Sequence, residues 1–381
     1  VVKTEIACGV YVPSRFKKPK HEARKKTGNF IPGFLIGSEK KMIYRSKAPL
    51  RIGLAGGGTD VSPYCDIYGG AILNATVSLY AYATIEPLSG HEIIFEAIDR
   101  SESITYIAAP ELPIDNQLDL ATGVYNRLVR QYGPMPGNFK LTTFVDAPAG
   151  SGLGTSSTLV VAIIGAFAEW LRLPLGEYDI AHLAYEIERE ELLLAGGKQD
   201  QYAATFGGVN YMEFYDEGRV IVNPLRIKPQ YLNELENNLL LYFTATSRKS
   251  ADIIEVQTRN VVDKNEKSIE AMHQLKEQAR MMKEALLRGK VHEIGAILDY
   301  GFRYKKQMAA GISNERMDSI YEAALKAGAT GGKISGAGGG GFMMFYCPAN
   351  TRYTVQDALK DFGGELRQYQ FTERGLFTWS V

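Results

Sequence analysis

The sequence predicts an α+β fold in two domains. Three observations carry that reading: a strand-rich first part, a helix-rich stretch over 250–327 set between further strands, and a length of 381 residues, enough for two cores. Composition agrees with a soluble globular chain, at 45% hydrophobic and 23% charged residues.

In order, the alternation from Ile43 to Leu54 predicts a strand that ends in the Gly56–Gly58 turn. Ala71–Ile85 alternates like a second long strand, and Ile93–Ala97 with Ser103–Ile107 reads as a hairpin. Leu118–Tyr132 has apolar residues at helical spacing up to Gly133-Pro134. A strand over 139–145 leads into Pro148-Ala-Gly-Ser-Gly-Leu-Gly-Thr-Ser-Ser-Thr158 and the apolar run Leu159–Ala168. That order is strand, glycine loop, helix. Asp179–Leu194 predicts another helix, apolar at Ile180, Leu183, Ala184, Ile187 and Leu194. Val209–Phe214 and Val220–Val222 form a hairpin around Asp216-Glu-Gly218. Asn223-Pro224 marks the boundary between domains over 43–222 and 223–381. Beyond it lie a strand at Asn238–Thr244, helices over about 250–308 and 314–327, a glycine loop then strand over Lys333–Tyr346, a helix at 351–361 and a closing strand.

Charge and cysteine content exclude several function classes. Acidic and basic residues balance at 43 each, so nothing draws the whole chain to nucleic acid or a membrane surface. Seven Lys or Arg against one Glu lie between Arg15 and Lys26, and residues 1–42 read as a flexible basic extension rather than a binding arm. Cys8, Cys65 and Cys347 form no CxxC pair, which points to a reducing cytoplasm. The five histidines show no metal-ligand spacing. No apolar run reaches the ~18 residues of a membrane span, and no signal peptide is visible.

Glycines let backbone N–H groups crowd round an anion, and a helix start adds unsatisfied donors. Three glycine segments, Gly56–Gly58, Gly150–Gly154 and Gly336–Gly341, therefore point to a phosphate site. Neither Lys198 nor Lys333 has a glycine six residues earlier, so the chain has no Walker P-loop. Gly336–Gly341 formally fits GxGxxG, but a strand-like Phe342–Tyr346 follows it where a dinucleotide site needs a helix.

The three segments resemble, in order, the motifs of the GHMP kinases, named for galactokinase, homoserine kinase, mevalonate kinase and phosphomevalonate kinase. Pro148–Ser157 matches PxGxGLGSSA, Lys333–Gly341 the third motif, and Lys47-Ala-Pro-Leu-Arg51 with the glycine triplet the first. The resemblance covers about residues 43 to 381. Within that superfamily, Gly56-Gly-Gly-Thr-Asp-Val-Ser-Pro-Tyr-Cys-Asp66 and Gly196-Gly-Lys-Gln-Asp-Gln-Tyr-Ala-Ala204 resemble the D-glycero-D-manno-heptose 7-phosphate kinases. Galactokinases carry Glu-His where this chain has Gly57-Gly58, which counts against galactose.

The resemblance implies a ribosomal protein S5 domain 2-like N-terminal domain, a ferredoxin-like C-terminal one, and ATP with magnesium at the glycine loop. Pro148, Gly150, Ser151, Gly152, Leu153, Gly154, Thr155, Ser156, Ser157, Gly336 and Gly338 would bind ATP. Ser156 and Glu188 would ligate the metal, although four acids fall within Glu186–Glu191 and a solvated helix face is the alternative. Asp200 would be the catalytic aspartate and Arg51 the cation beside it. A nearby Arg makes a carboxylate a weaker base, which phosphoryl transfer tolerates because the hydroxyl proton leaves late. Asp60, as a bidentate acceptor, would hold two ring hydroxyls, with Gly57, Gly58 and Thr59 beside the sugar. Lys198, Arg248, Lys47 and Lys249 are the candidate cations for the sugar's phosphate.

The resulting expectation is an ATP-dependent kinase for the anomeric hydroxyl of D-glycero-D-manno-heptose 7-phosphate, in nucleotide-activated heptose synthesis. Alternatives are a kinase for fucose, another hexose or a higher sugar phosphate, and a non-catalytic sugar or nucleotide sensor. Its partners would be small molecules, with no nucleic acid and no membrane; a homodimer is left open.

Overall fold

A computed structural model describes residues 42–245 and 250–381. Nearly all of the basic extension expected over 1–42 lies outside them, as do Arg248 and Lys249.

The spine is an antiparallel pair, β1 (Tyr44–Ala55) and β2 (Gly70–Leu88), joined through the glycine triplet and the short helix α1 (Tyr64–Tyr68). At 19 residues β2 is long enough to serve two neighbours. Its second half pairs with β5 (Asn138–Val145) and its first half with β6 (Val209–Phe214). Outside β5, and parallel to it, lies β3 (Glu92–Ala97), which forms the expected hairpin with β4 (Glu102–Ile107). The hairpin partner of β6 is β7 (Val220–Pro224). Between these strands run α2 (Asp119–Tyr132), α3 (Thr155–Leu171), α4 (Glu177–Tyr185) and α5 (Gln199–Phe206).

Helix α3 is buried through most of Ser157–Phe167, as its continuous apolar run requires. It lies against β1 and β2. The β1–β2 register shifts between Pro49 and Arg51, where Pro49 faces Tyr80 but Arg51 faces Thr76. Such an irregularity bends a strand and re-aims its side chains, and here it falls at a candidate catalytic residue.

After α6 (Pro229–Asn238) comes the second sheet, antiparallel in the order β11-β8-β10-β9. Its strands are β8 (Leu239–Phe243), β9 (Gly331–Ile334), β10 (Phe342–Tyr346) and β11 (Glu365–Arg367). The accompanying helices are α7 (Ser250–Val262), α8 (Glu266–Arg288), α9 (Ile294–Met308), α10 (Glu315–Lys326) and α11 (Thr351–Leu359). One apolar core runs from Ala48 and Val77 through Leu286 and Leu298 to Leu241 and Met344, so the two sheets share it.

Three expectations need correction. Asp179–Leu194 is not one helix: α4 stops at Tyr185 and a π-helical turn follows over Glu186–Glu191. The third glycine segment joins two strands, β9 and β10, rather than only preceding one. The closing strand β12 (Phe377–Ser380) pairs with β1, so the end of the expected second domain belongs to the first sheet. Among the described residues no helix is long and apolar enough to cross a membrane.

Candidate active site

The three glycine segments converge on a cleft of about 580 Å³. Arg51, Gly58 and Asp60 reach it from β1 and the loop after it, and Gly150, Gly152 and Gly154–Ser157 lie along another side. Leu194–Gly197, Gln199, Asp200, Gln257 of α7, Lys305 of α9 and Gly336 add to the lining.

The glycine loop is built as an anion cradle. Gly154 precedes α3 in the left-handed region, and no side chain caps the helix, so its first-turn N–H groups remain available to a ligand. A Cβ on Gly152 would lie 2.5 Å from the Ser335 carbonyl oxygen, and one on Gly336 would lie 2.7 Å from the Gly152 Cα. The second and third motifs therefore interlock backbone to backbone, and the Ser335 hydroxyl donates to the Gly152 carbonyl at 2.8 Å. Pro148, Ser151, Leu153 and Gly338 do not line the cleft. Ser151 and Leu153 are buried, the Leu153 carbonyl accepts the Arg51 N–H, and Gly338 backs onto Ile312. These four shape the loop rather than face a ligand. Beside it, an apolar slot of about 250 Å³ between Phe95, Leu118, Leu141 and Ile163 shares Ser156 and Leu194 with the cleft.

Arg51 and Asp200 are brought together as expected. Nε and Nη2 of Arg51 each lie 2.6 Å from Asp200 Oδ1, and Nη1 donates to the Gly152 carbonyl at 2.6 Å. The arginine thus ties the aspartate to the glycine loop.

Glu188 is fully buried, unlike its acidic neighbours. The π-helical turn directs it inward, where the Ser156 hydroxyl and the Gln201 amide each donate to its carboxylate at 2.6 Å. Glu186 and Glu191 are half-buried and pair with Arg127, and Glu190 is exposed. The solvated-face reading therefore holds for Glu190 and fails for Glu188. Ser156 lines the cleft and Glu188 lies directly behind it, a hydroxyl and a carboxylate of the chemistry magnesium takes. Among the described residues no group of three or more His, Cys, Asp or Glu could hold a metal alone, so nucleotide oxygens and water would complete such a site.

Asp60 lines the cleft, and its Oδ2 accepts the Gln199 N–H at 3.0 Å at the start of α5. That contact orients the helix carrying Asp200, with Oδ1 and the second lone pair of Oδ2 left for a ligand. Burial pushes the Asp60 carboxyl above its usual range, opposed by the Gln199 N–H. The approach needs Gly197, where a Cβ would lie 2.0 Å from Asp60 Oδ2. Thr59 is buried, its hydroxyl bonded to the Gly56 and Ala71 carbonyls and the Ala71 N–H. It closes the glycine turn and does not reach the cleft. Lys198 pairs with Asp66 at 3.2 Å over the Tyr185 ring, and Lys47 lies over Tyr80; neither lines the cleft.

Several cleft residues were not expected. Lys305 is 2% exposed and donates to the Gly57 carbonyl at 3.1 Å. Gln257 donates to the Gly58 carbonyl at 2.6 Å. Arg189 lines the cleft near the glycine loop, bonded to Ser157, Leu194 and Gly197. Gln199 carries a buried Oε1 with no partner among the described residues. Lys305 had a readable signal: it occupies the buried stripe of α9 with Ile294, Leu298, Phe302 and Met308.

Comparison with known proteins agrees with this architecture. Residues 119–208 match the GHMP kinases N terminal domain and residues 282–365 the GHMP kinases C terminal. The D-glycero-alpha-D-manno-heptose 7-phosphate kinase of Campylobacter jejuni is 49% identical over 337 residues, 88% of this chain and 99% of that protein. A crystal structure of a D-glycero-D-manno-heptose 1-phosphate kinase from Bacteroides thetaiotaomicron has a TM-score of 0.76 at 48% identity, covering 89% of this chain and 99% of that one. A candidate sugar kinase from Campylobacter jejuni has a TM-score of 0.75 at 47% identity, covering 91% and 100%. With both family domains present on this two-sheet α+β frame, and near-half identity along almost the whole of a relative, the chain belongs to the GHMP kinases as an ATP-dependent sugar kinase.

Proposed function

We propose that this kinase phosphorylates the anomeric hydroxyl of D-glycero-D-manno-heptose 7-phosphate. The product is the 1,7-bisphosphate, made in the cytoplasm on the way to nucleotide-activated heptose. One observation carries the catalytic part: Arg51 holds Asp200 by a single oxygen beside the glycine loop. The apolar slot suits the adenine base, and the uncapped start of α3 suits the phosphates that follow it.

The acceptor hydroxyl then lies at Asp200. As its oxygen bonds the γ-phosphorus, the bond from that phosphorus to the β–γ bridging oxygen breaks and ADP leaves. The hydroxyl proton passes to Asp200 as the new bond forms, which a weakly basic carboxylate can manage because the transition state is loose. Arg51 offsets the charge spread over the transferring group. Magnesium, held by Ser156 and Glu188, would neutralise phosphate charge. Asp60 Oδ1 faces the sugar and orients a ring hydroxyl. With this reading goes a division after Val222: the donor loop and Asp200 precede it, and Gln257, Lys305 and the buttressing third motif follow.

The names of the relatives support a heptose phosphate and differ on its phosphate, one naming the 7-phosphate and the other the 1-phosphate. ADP release over heptose 7-phosphate, heptose 1-phosphate, mannose, fucose and galactose tests the choice. The 7-phosphate is expected to exceed each free hexose in kcat/KM by about 100-fold or more, the discrimination a charged contact supplies. Preference for heptose 1-phosphate would move the reacting hydroxyl to the other end of the sugar. Preference for a free hexose would overturn the acceptor, and no ADP release with any sugar would favour a sensor.

A further inference from the structure

We infer that Lys305 is the specificity-determining residue for the acceptor, its ammonium binding the acceptor's phosphate and so selecting a sugar phosphate over a free sugar. The inference rests on the proposed acceptor reading and names the residue that enforces it.

The geometry of the cleft limits the choice. The donor phosphates take the glycine-loop side, and the reacting hydroxyl must lie at Asp200 and Arg51. The rest of the acceptor therefore extends along Asp60, Gly58, Gln257 and Lys305. Its anionic end needs a cation that is not already committed. The cleft-lining cations among the described residues are Arg51, Arg189 and Lys305. Arg51 is taken by Asp200 and the Gly152 carbonyl. Arg189 is spread over Ser157 and two backbone carbonyls, and lies 3.7 Å from Glu188 on the donor side. Lys333 is buried away from the cleft and satisfied by the Gly53 and Ile334 carbonyls. Lys198 is paired with Asp66.

Lys305 differs from all of these. It is buried, it lines the cleft, and its bond is to one carbonyl, that of Gly57, with no carboxylate within ion-pair distance among the described residues. An ammonium on the apolar stripe of a helix is costly unless something compensates it. A phosphate monoester in the cleft supplies both the counter-charge and the acceptors for its remaining N–H groups. The carbonyl that holds the ammonium belongs to the glycine triplet; Gly57 itself does not line the cleft, but its neighbour Gly58 does, beside Lys305. Burial pulls the ammonium down to about 8, so it is still mainly charged at neutral pH, and a bound dianion would hold the proton more firmly.

The test compares wild type, Lys305→Met and Lys305→Arg in ADP release with heptose 7-phosphate and with the same heptose lacking phosphate. Thermal melting and ATP titration of each variant establish that it is folded. In Lys305→Met the kcat/KM ratio of phosphorylated to free heptose is expected to fall about 10–100-fold, the worth of a hydrogen bond to a charged group. The loss should lie mainly in KM for the sugar phosphate, with KM for ATP moving far less, and Lys305→Arg should restore most of the preference. An unchanged ratio in folded Lys305→Met overturns the inference, as does an equal rise in KM for both sugars or for ATP. If wild type itself does not prefer the phosphorylated heptose, the acceptor reading fails first. A preference that persists in Lys305→Met sinks only the role of Lys305.

Discussion

Arg51 holds Asp200 by one carboxylate oxygen only. Both its Nε and its Nη2 lie 2.6 Å from Oδ1, and Oδ2 has no hydrogen-bond partner among the described residues. The same guanidinium is tied to the Gly152 carbonyl of the glycine loop. In the proposed reaction Oδ1 would keep its positioning contact and Oδ2 would take the acceptor's proton.

Asp200→Asn separates these two functions. The amide oxygen can still accept from Arg51, so the helix start and the loop should keep their places. The amide nitrogen then stands where Oδ2 stood, a donor in place of an acceptor. ATP affinity, measured by titration, is expected to hold, while kcat in ADP release falls about 10²–10⁴-fold, the usual contribution of a positioned base. A variant that kept near-normal kcat would remove Asp200 as the proton acceptor.

Glu188→Gln tests the metal assignment with little structural cost. The new amide group would point its nitrogen towards either Ser156 or Gln201, and Gln201 has a buried, unpartnered Oε1 that can turn to receive it. The magnesium concentration for half-maximal rate is expected to rise about 10–100-fold, as when groups that tune a metal site are altered. If that concentration does not move, Glu188 serves only to hold the Ser156 hydroxyl.

What was legible in the sequence follows from how local each signal is. The glycine loop, Arg51 and Asp200 sit in short segments whose residue types carry their chemistry, and the structure brings them together. Thr59 and Lys198 were read from the same kind of segment, yet their polar atoms are claimed by Ala71 and Asp66, partners that only the fold supplies. Glu188 was identified among four acids, but its burial depends on a π-helical turn that helical spacing does not reveal. Lys305 enters from a helix far along the chain, and only its place on an apolar stripe marked it. The return of β12 to β1 is likewise a long-range pairing invisible to local pattern.

Gly336→Ala probes the interlock between the second and third motifs. The new methyl would meet the Gly152 Cα at 2.7 Å, on a backbone with φ of 72°. Clash and left-handed strain together should cost about 1–3 kcal/mol in thermal or denaturant unfolding. Because the displaced atoms belong to the donor loop, KM for ATP should rise as well. Gly363→Ala is the control, with a φ of 66° and nothing within 4 Å of the added Cβ. It carries the strain without the clash, and should leave KM for ATP alone. Equal effects from the two variants would mean that the interlock contributes nothing to donor binding.

Lys305 also makes a prediction about stability, with a definite sign in pH. Burial, together with Arg51 and against the attraction of Asp60, lowers its ammonium from 10.5 to about 8. Lys333, from the second sheet, is lowered in turn by burial and by Lys305 and Arg51. At neutral pH both folded and unfolded chains carry the Lys305 proton, and the folded state bears the full cost of burying it, on the order of 3 kcal/mol. Between about 8 and 10.5 the folded protein gives up that proton while the unfolded chain keeps it, so this cost shrinks as pH rises. Lys305→Met removes the charge and should melt above wild type near pH 7, with the difference narrowing towards pH 10. Saturating sugar phosphate should narrow it too, because the ligand stabilises the wild-type ammonium and not the methionine. A variant that melts below wild type at neutral pH, with no dependence on pH, would show that the bond to the Gly57 carbonyl outweighs the buried charge.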